Sequence, residues 1–207
     1  MCGIFGALEL KKEVSQKEIR QASEMLSHRG PDHTGFHIET TEKVSVGLVH
    51  KRLAILDLSL AANQPMEFEN LVIVYNGEVY NYEELREELK NLGYEFSTLS
   101  DTEVVLKAFH YWGSEAANKF NGMFAISIWD RKESELWLIR DRIGVKPVYW
   151  CCSDDTLSYA SEIKALVKYP GFKKEVDVDS LARFLRFGYI PQPYSIYKRV
   201  RKLSPGS

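Results

Sequence analysis

Cys2 is the residue whose position in the chain suggests chemistry most directly. Removal of the initiator methionine would leave its thiol and a free α-amine on one residue, which combines nucleophile and base as in the N-terminal threonine enzymes. The α-amine titrates at about 8, so it can accept a proton near neutral pH. Cysteine is also a common small apolar residue of buried strands, and position alone favours that simpler interpretation.

The Asn-Gly pair formed by Asn76 and Gly77 has two interpretations. It separates the apolar run LVIVY from EVY, and an Asn-Gly pair between two such runs is typical of a type I′ hairpin. The alternative is an oxyanion hole, in which the Asn76 amide and the Gly77 N–H point at one developing negative charge. Taken alone, the pair favours the hairpin.

Arg52 and Asp101 are charged residues that could each bind a group of a substrate. The rigid fork of an arginine suits bidentate binding of a carboxylate, although an arginine at the edge of a strand is usually solvated. Asp101 could hold a substrate ammonium, although an aspartate in this context most often serves the start of a helix. Both alternatives stay open at this point.

A polar cluster in HRGPDHTGFH raises the question of a metal site; its members are His28, Asp32, His33 and His37. Glycines and a proline interrupt any helix that would place two of the rings on one face, and no cysteine lies nearby. We therefore expect loop histidines and no metal. The chain also lacks a phosphate-binding loop, and its early G-x-x-G does not match the dinucleotide-binding pattern, so no nucleotide site is expected in these residues.

The composition excludes several classes of function. Of the 207 residues, 44% are hydrophobic and 27% are charged, which is enough for one sizeable domain with its own core. The 27 basic and 29 acidic residues nearly cancel, so binding to nucleic acid or to an anionic membrane is not expected. Three cysteines form no disulfide framework, and neither a membrane-spanning run nor a signal peptide is recognisable. We therefore expect a cytoplasmic protein.

The hydrophobic pattern predicts a mixture of strands and helices that must position these side chains. Strands are expected at residues 3–10, 44–58 and 71–75, and then in MFAISIWD, ELWLIRD, KPVYWCC and TLSYA, whose short connections indicate antiparallel pairing. Helices are expected in NYEELREELKNLG, SEIKALVKYP and VDSLARFLRFG, and at residues 101–112. The last of these helices follows a capping box of Ser100 and Glu103.

These elements suggest one domain, residues 1–188, followed by a tail, residues 189–207. The tail contains three prolines and no clear apolar period, so we expect it to pack little and to act as a linker or exit arm. Cys151 and Cys152 are expected to be ordinary strand residues.

Taken together, the motifs of the chain resemble a class II glutamine amidotransferase domain. The segments that carry this resemblance are MCGIFG at 1–6, HRGPD at 28–32, RLAILDLS at 52–59, NQPM at 63–66, NGEVYNYEEL at 76–85, SDTEVVL at 100–106, FNGMFA at 120–125 and RDRIGVKPVYW at 140–150. The later motifs look most similar to the glutamine-hydrolysing asparagine synthetase branch. The resemblance implies an α+β fold of the N-terminal nucleophile type, a four-layer αββα sandwich of two mainly antiparallel sheets.

The resemblance also implies a role for each candidate residue. Cys2 would be the nucleophile, and Asn76 and Gly77 would form the oxyanion hole. Arg52 would bind the α-carboxylate of glutamine, and Asp101 would bind its α-ammonium. The other substrate contacts would come from Glu78 and from the backbone of Leu53, Ala54, Ile55 and Leu56.

The activity implied by the resemblance is hydrolysis of L-glutamine through a cysteine thioester. Ammonia would pass to an ATP-dependent asparagine synthetase domain outside this chain, where ATP and Mg²⁺ would bind, while this domain would need no cofactor; a homodimer is possible. One alternative keeps the hydrolysis but supplies a sugar phosphate or a polymer precursor. The other is a non-catalytic glutamine-binding or regulatory domain, which a retained Met1 would favour because it leaves Cys2 without a free amine.

Overall fold

The computed structural model describes residues 1–153 and 155–207, which form two antiparallel sheets and the helices that cover them. In chain order the strands are β1 (Gly3–Glu9), β2 (His33–Thr40), β3 (Ser45–Arg52), β4 (Met66–Phe68), β5 (Leu71–Val79), β6 (Gly122–Asp130), β7 (Glu135–Arg140), β8 (Tyr149–Cys152), β9 (Thr156–Ala160) and β10 (Val200–Lys202). The α-helices are α1 (Gln16–Glu24), α2 (Tyr82–Asn91), α3 (Asp101–Trp112), α4 (Ala116–Lys119), α5 (Ile163–Lys168) and α6 (Val178–Phe187). Among the described residues, no helix combines the length and the apolar character needed to cross a bilayer.

Three apolar clusters hold the layers together. The larger sheet has the order β10-β8-β9-β1-β3-β2, and α1 and α5 cover its outer face through a cluster that includes Phe5, Ile19 and Leu166. The smaller sheet has the order β4-β5-β6-β7, and α2 and α3 cover it through a cluster that includes Ile73 and Leu89. Between the two sheets lies a third cluster with Ile4, Val74 and Trp129. The expected α+β fold with αββα layers is therefore confirmed.

Both faces of the central strands are buried, and this explains their unbroken apolar runs. In β5, Ile73 and Tyr75 contact the helices while Val72 and Val74 contact the other sheet. Side chains of a strand alternate between its faces, so a strand that is covered on both sides needs apolar residues at every position.

The start of α3 agrees with its prediction, whereas the capping box is only half formed. Ser100 Oγ accepts a hydrogen bond from the backbone N–H of Glu103 at 3.4 Å. The Glu103 carboxylate does not return to Ser100, because it accepts from the backbone N–H groups of Ser97 and Thr98 and from Lys107 Nζ. The reciprocal bond is thus replaced by a buried network that fixes the loop before the helix.

The predicted hairpin at Asn76 and Gly77 is wrong. Both residues lie inside β5, where they pair with Ala125 and Phe124 of β6. A Cβ atom at Gly77 would lie 2.3 Å from the carbonyl oxygen of Met123, so the close approach of the two strands requires glycine. An Asn-Gly pair is a local turn signal, whereas long-range pairing with β6 decides whether the chain turns at this point.

The predicted strand at 44–58 is too long, and the one at 71–75 is too short. Strand β3 ends at Arg52, and the segment that follows folds back so that the Arg52 guanidinium donates to the backbone oxygens of Asp57 and Ser59. The apolar residues of that segment are consequently exposed rather than part of a ladder, with Leu58 77% exposed. Strand β5 continues to Val79 because β6 pairs with it over that length.

The predicted loop histidines are also partly wrong. His33 and His37 lie on β2, which pairs with β3 along its whole length, and only His28 lies outside a strand, in a short 3-10 turn. Strand β2 is at the edge of its sheet and its residues are only partly buried, so it lacks the apolar pattern that would have revealed it.

The tail packs more firmly than its sequence suggests. Its strand β10 pairs with β8, and Val200 is completely buried. Arg140 donates to the carbonyl oxygen of Leu203, and the Arg140 N–H donates to that of Ser207 at 2.8 Å. The expectation of a loosely packed arm is therefore wrong for these residues, whereas the role of the tail as a link to a further domain stays a prediction.

Candidate active site

Cys2, Arg52 and Asn76 come together at one end of the space between the two sheets. Ile4 and Leu48 belong to the apolar cluster that fills this space, and every second side chain of a strand faces the same way. Cys2 and Arg52 lie an even number of positions from Ile4 and Leu48, so they face the same space. The parity of β5 places the Asn76 side chain there from the opposite sheet.

A cavity of about 190 Å³ lies where these side chains meet. Pockets for drug-sized molecules usually measure roughly 300–1,000 Å³, so this one suits a smaller molecule. Of the residues that the sequence analysis selected, the cavity is lined by Cys2, Arg52, Leu53, Ile55, Leu56, Asn76, Gly77, Glu78 and Asp101. Met1 also lines it, whereas Ala54 does not; the Ala54 N–H donates to the carboxylate of Asp32 at 2.8 Å.

The backbone around Cys2 is held in place by two neighbouring segments. The Cys2 sulfur lies 3.4 Å from the backbone nitrogen of Leu53 and 3.6 Å from the carbonyl oxygen of Leu53. Its carbonyl oxygen accepts a hydrogen bond from Arg29 Nε at 2.9 Å, and Arg29 is in turn paired with Glu162. Burial raises the pKa of the Cys2 thiol, which the hydrogen bond from Leu53 only partly opposes.

Asn76 and Gly77 each bring an N–H donor to the cavity. The side-chain nitrogen of Asn76 is buried and has no hydrogen-bond partner in the described part of the chain. On the open edge of β5, the N–H groups of Tyr75 and Val79 donate to Gln64 and Asp101. The Gly77 N–H lies between them and points to the same side, because N–H groups alternate along a strand. An oxygen in the cavity could therefore accept from Asn76 and Gly77 together.

Arg52 is fixed before any ligand binds. Besides the two backbone oxygens of the following segment, its guanidinium donates to Asn63 Oδ1 at 2.6 Å, and the residue is 7% exposed. A planar guanidinium held in this way presents a fixed positive charge to the cavity.

Asp101 forms the negative counterpart at the start of α3. Its carboxylate accepts from the Tyr75 hydroxyl at 2.7 Å and from the Val79 N–H at 3.1 Å. Burial raises the pKa of Asp101, while these two bonds oppose that change. Burial beside Asp101 also raises the pKa of Tyr75 far above its usual value, so the hydroxyl stays a donor. Asp101 therefore both begins the helix and lines the cavity, so the two interpretations of this residue do not exclude each other.

Several lining residues were not selected from the sequence, among them His50, Gln64 and Lys146. His50 Nε2 lies 3.1 Å from the Tyr75 carbonyl oxygen, and burial lowers the pKa of His50 to about 3, so this imidazole is neutral. Gln64 joins the Tyr75 N–H to the Thr102 hydroxyl. Gln64 and Lys146 belong to the motifs NQPM and RDRIGVKPVYW, which were the only signal in the sequence that could have pointed to them.

Within residues 1–153 and 155–207, no group of three or more metal-binding side chains is placed to hold an ion. His37 contacts the carboxylates of Glu39 and Glu67 at 3.2 and 3.1 Å, and Arg131 bridges the same two carboxylates. These groups form an ion-pair network between β2 and β4 and lie outside the cavity.

The arrangement suits nucleophilic attack on the carbonyl group of a small molecule. A thiol and the N–H donors of Asn76 and Gly77 line the same cavity, as stabilisation of a tetrahedral intermediate requires. A fixed cation and a buried carboxylate line the same cavity and could bind a carboxylate and an ammonium group.

Comparisons of the sequence with known proteins point to one family. The family model of the glutamine amidotransferase domain matches residues 1–207. The chain is 40% identical over 214 residues to asparagine synthetase [glutamine-hydrolyzing] 1 of Bacillus subtilis, covering 100% of this chain and 33% of that protein. It is 36% identical over 212 residues to asparagine synthetase [glutamine-hydrolyzing] 3 of the same organism, covering 99% of this chain and 34% of that protein. The chain thus spans about a third of the length of these relatives.

The fold is similar to that of a solved amidotransferase. Glutamine phosphoribosylpyrophosphate amidotransferase from B. subtilis, complexed with ADP and GMP, aligns with a TM-score of 0.66 at 23% sequence identity. The alignment covers 80% of this chain and 43% of that one. At this identity the likeness concerns the fold alone.

Proposed function

The chain belongs to the glutamine amidotransferase domain family, and we propose that it hydrolyses L-glutamine to glutamate and ammonia with Cys2 as the nucleophile. One observation carries this proposal: the Cys2 sulfur and the unpartnered Asn76 amide line the same small cavity. A buried amide without a partner costs free energy, so its presence beside a thiol indicates a ligand that supplies the acceptor.

In the proposed reaction, removal of Met1 frees the α-amine of Cys2, which accepts the thiol proton. The sulfur attacks the side-chain amide carbon of glutamine, a C–S bond forms, and the carbonyl electrons move to the oxygen. The N–H groups of Asn76 and Gly77 stabilise that oxyanion. The proton then passes to the amide nitrogen, the C–N bond breaks and ammonia leaves. Water attacks the resulting thioester, which releases glutamate and restores the thiol.

Recognition of the amino-acid end of glutamine would fall to Arg52 and Asp101. The fixed guanidinium of Arg52 would bind the α-carboxylate, and the carboxylate of Asp101 would bind the α-ammonium. Glu78, which also lines the cavity, would add negative charge near the ammonium. Such a pair of contacts selects a free amino acid over a glutamine side chain within a polypeptide, whose α-groups are in peptide bonds.

The decisive experiment is mass spectrometry after incubation with an electrophilic glutamine analogue. We expect a chain without Met1 that carries one adduct on Cys2, and excess glutamine should prevent its formation. Cys2→Ala should take no such adduct and release no glutamate. Cys152→Ser, which removes an exposed thiol elsewhere, is the matched control and should behave as the unaltered protein.

Two outcomes of that experiment would contradict the proposal. An adduct that excess glutamine does not reduce would show that Cys2 does not react inside a glutamine site. Glutamine binding without glutamate release, in a chain that has lost Met1, would favour the non-catalytic binding domain instead.

We further propose that the ammonia serves an ATP-dependent asparagine synthetase domain, which would hold the ATP and Mg²⁺. The printed names and the greater length of the relatives support this acceptor. Helix α6 supports it independently, since Ser180 is its only buried residue while Val178, Leu181 and Leu185 expose an apolar face. A face of this kind is typical of a surface that another domain covers.

An isotope experiment tests the acceptor. The chain together with its synthetase domain should transfer the label from amide-¹⁵N glutamine to asparagine when aspartate, ATP and Mg²⁺ are present. Label that reaches a sugar phosphate or a polymer precursor instead would identify the alternative acceptor and contradict asparagine as the product.

A further inference from the structure

Lys146 stands at the end of a tightly held turn beside the cavity. The Asp141 carboxylate accepts hydrogen bonds from the backbone N–H groups of Phe124, Val145 and Lys146 at 3.3, 2.8 and 2.9 Å. Arg140 donates from Nε to the Lys146 carbonyl oxygen at 2.7 Å. The backbone of Lys146 is therefore fixed on both sides, and its side chain has a defined direction.

The side chain of Lys146 is largely buried, and its ammonium group has no partner among the described residues. The residue is 5% exposed and lines the cavity that contains Cys2. In the part of the chain that the structure describes, its Nζ atom has no hydrogen bond and no ion pair, unlike Lys51 and Lys107, which are buried to the same degree and are bonded. An ammonium group at the wall of a partly enclosed cavity is less screened than one in bulk water, so it favours a negative charge that forms close to it.

Two cavity groups near Lys146 could carry a negative charge, namely Cys2 and Glu78. The charged and titratable groups that act on Lys146 are Arg29, Cys2, Glu78 and Asp141. Asp141 is occupied by backbone N–H groups, and Arg29 already binds the Cys2 carbonyl oxygen and Glu162. Arg52 is likewise held by the segment that follows it. Of the two cationic side chains that line the cavity, Arg52 and Lys146, only Lys146 lacks a hydrogen bond or ion pair from its charged group within residues 1–153 and 155–207.

We propose that Lys146 is a positioning residue that places a positive charge beside Cys2 and stabilises its thiolate. The inference rests on the proposed role of Cys2 as the nucleophile. Burial favours the neutral thiol, and a nearby cation is the ordinary means by which a protein restores the reactive anion. A lysine suits this purpose because its compact charge can follow the sulfur, whereas the fork of an arginine is built for planar anions.

The test is the pH dependence of Cys2 alkylation by iodoacetamide, a reaction that requires no glutamine. The rate is followed on the Cys2 peptide by mass spectrometry, so the other cysteines do not interfere. Lys146→Met should slow alkylation at pH 7 by roughly 3- to 10-fold. At high pH, where the thiol is fully ionised, the alkylation rate of the variant should approach that of the unaltered protein. Lys146→Arg should restore most of the rate at pH 7.

Lys202→Met is the matched control, because this partly buried lysine donates to the Ile190 carbonyl oxygen and does not line the cavity. It should leave the alkylation profile unchanged. A Lys146→Met profile identical to that of the unaltered protein would overturn the inference. Slowing by the same factor at every pH would do so too, because it would indicate a structural disturbance. Failure of the proposed glutaminase would show in glutamine protection and glutamate release, which this assay does not use.

Discussion

Arg52 and Asn76 line one cavity, but they differ in what they already bind. The Arg52 guanidinium is held by three oxygen atoms of the segment that follows it. The Asn76 side-chain nitrogen has no partner in the described residues. A fixed charge suits a group that is bound throughout the reaction, whereas a free donor suits a charge that appears only in the transition state.

Substitutions should separate these two roles. Asn76→Ala should lower kcat for glutamate release by roughly 10²- to 10³-fold, as the loss of an oxyanion-hole donor does elsewhere, with little change in KM. Arg52→Ala should mainly raise KM, because the α-carboxylate is bound equally in the ground state and the transition state. Steady-state kinetics of glutamate release measure both.

Arg52→Lys is a useful control for that comparison, since it keeps the charge but loses the fork that binds the 57–63 segment. Melting curves should accompany each variant, because loss of those contacts could unfold the segment. The reverse pattern, with KM changed by Asn76→Ala and kcat by Arg52→Ala, would mean that the two roles are exchanged.

Residue types identified part of the site from the sequence, and geometry identified the rest. Cys2, Arg52 and Asp101 could be selected because each carries suitable chemistry, although each also had a simpler interpretation. Lys146 and His50 could not be selected in this way, because they share a cavity with Cys2 only through a fold that brings distant segments of the chain together.

At the level of elements, α3 shows how a helix start can serve both stability and the site. Asp101 is its first residue and lines the cavity, while Glu103 lies in the same turn and fixes the preceding loop. Burial alone would raise the pKa of Glu103, but hydrogen bonds from Lys107, Ser97 and Thr98 outweigh it and lower this pKa to about 2. The helix was predictable because its apolar stripe and Ser100 are local signals. The network around Glu103 depends on a loop whose path the sequence does not reveal.

This network should make the stability of the protein depend on pH. Because the pKa of Glu103 is lower in the folded state than its ordinary 4.5, the stabilisation is complete above pH 4.5 and is lost as the pH falls toward 2. Glu103→Gln should therefore reduce the free energy of unfolding by about 2 kcal/mol at pH 7. Urea unfolding should show this difference shrinking near pH 2.

Glu87→Gln provides the matched control. Glu87 pairs with Lys90 on the exposed side of α2, and its side chain is 68% exposed. Its loss should change the free energy of unfolding by no more than about 0.5 kcal/mol at either pH. A Glu103→Gln effect of equal size at pH 7 and pH 2 would contradict the assigned role of the carboxylate.

For the whole molecule, the end of the chain is part of the structure that positions the site. Strand β10 completes the larger sheet, and the residues after it bind Arg140 at the start of the turn that carries Lys146. The layers could be inferred from the sequence only through its resemblance to a family, because periodicity distinguishes strands from helices but does not order them. The docking of the tail could not be inferred, because a three-residue strand rich in cations has no apolar period.

A chain that ends at residue 199 should consequently be less stable. It loses the buried Val200 side chain, which is worth roughly 1.5–3 kcal/mol, and leaves the Arg140 guanidinium without the Leu203 oxygen. Thermal unfolding should show a lower Tm than that of the 207-residue chain. As a control, Leu185→Ser on the exposed face of α6 should leave the Tm of the 207-residue chain nearly unchanged. An unaltered Tm after truncation would mean that the tail adds nothing to the fold.

The position of Cys2 has a practical consequence for how the protein is made. The proposed reaction needs a free α-amine on Cys2, and any leader ahead of Met1 that is not removed would keep this amine in a peptide bond. Translation from an in-frame start codon further upstream, or an affinity tag fused ahead of Met1, should therefore give a folded but inactive product. A tag placed after Ser207 avoids this problem, because it leaves the α-amine of Cys2 free. Additions after the domain are thus compatible with the proposed chemistry, whereas uncleaved additions before Cys2 are not.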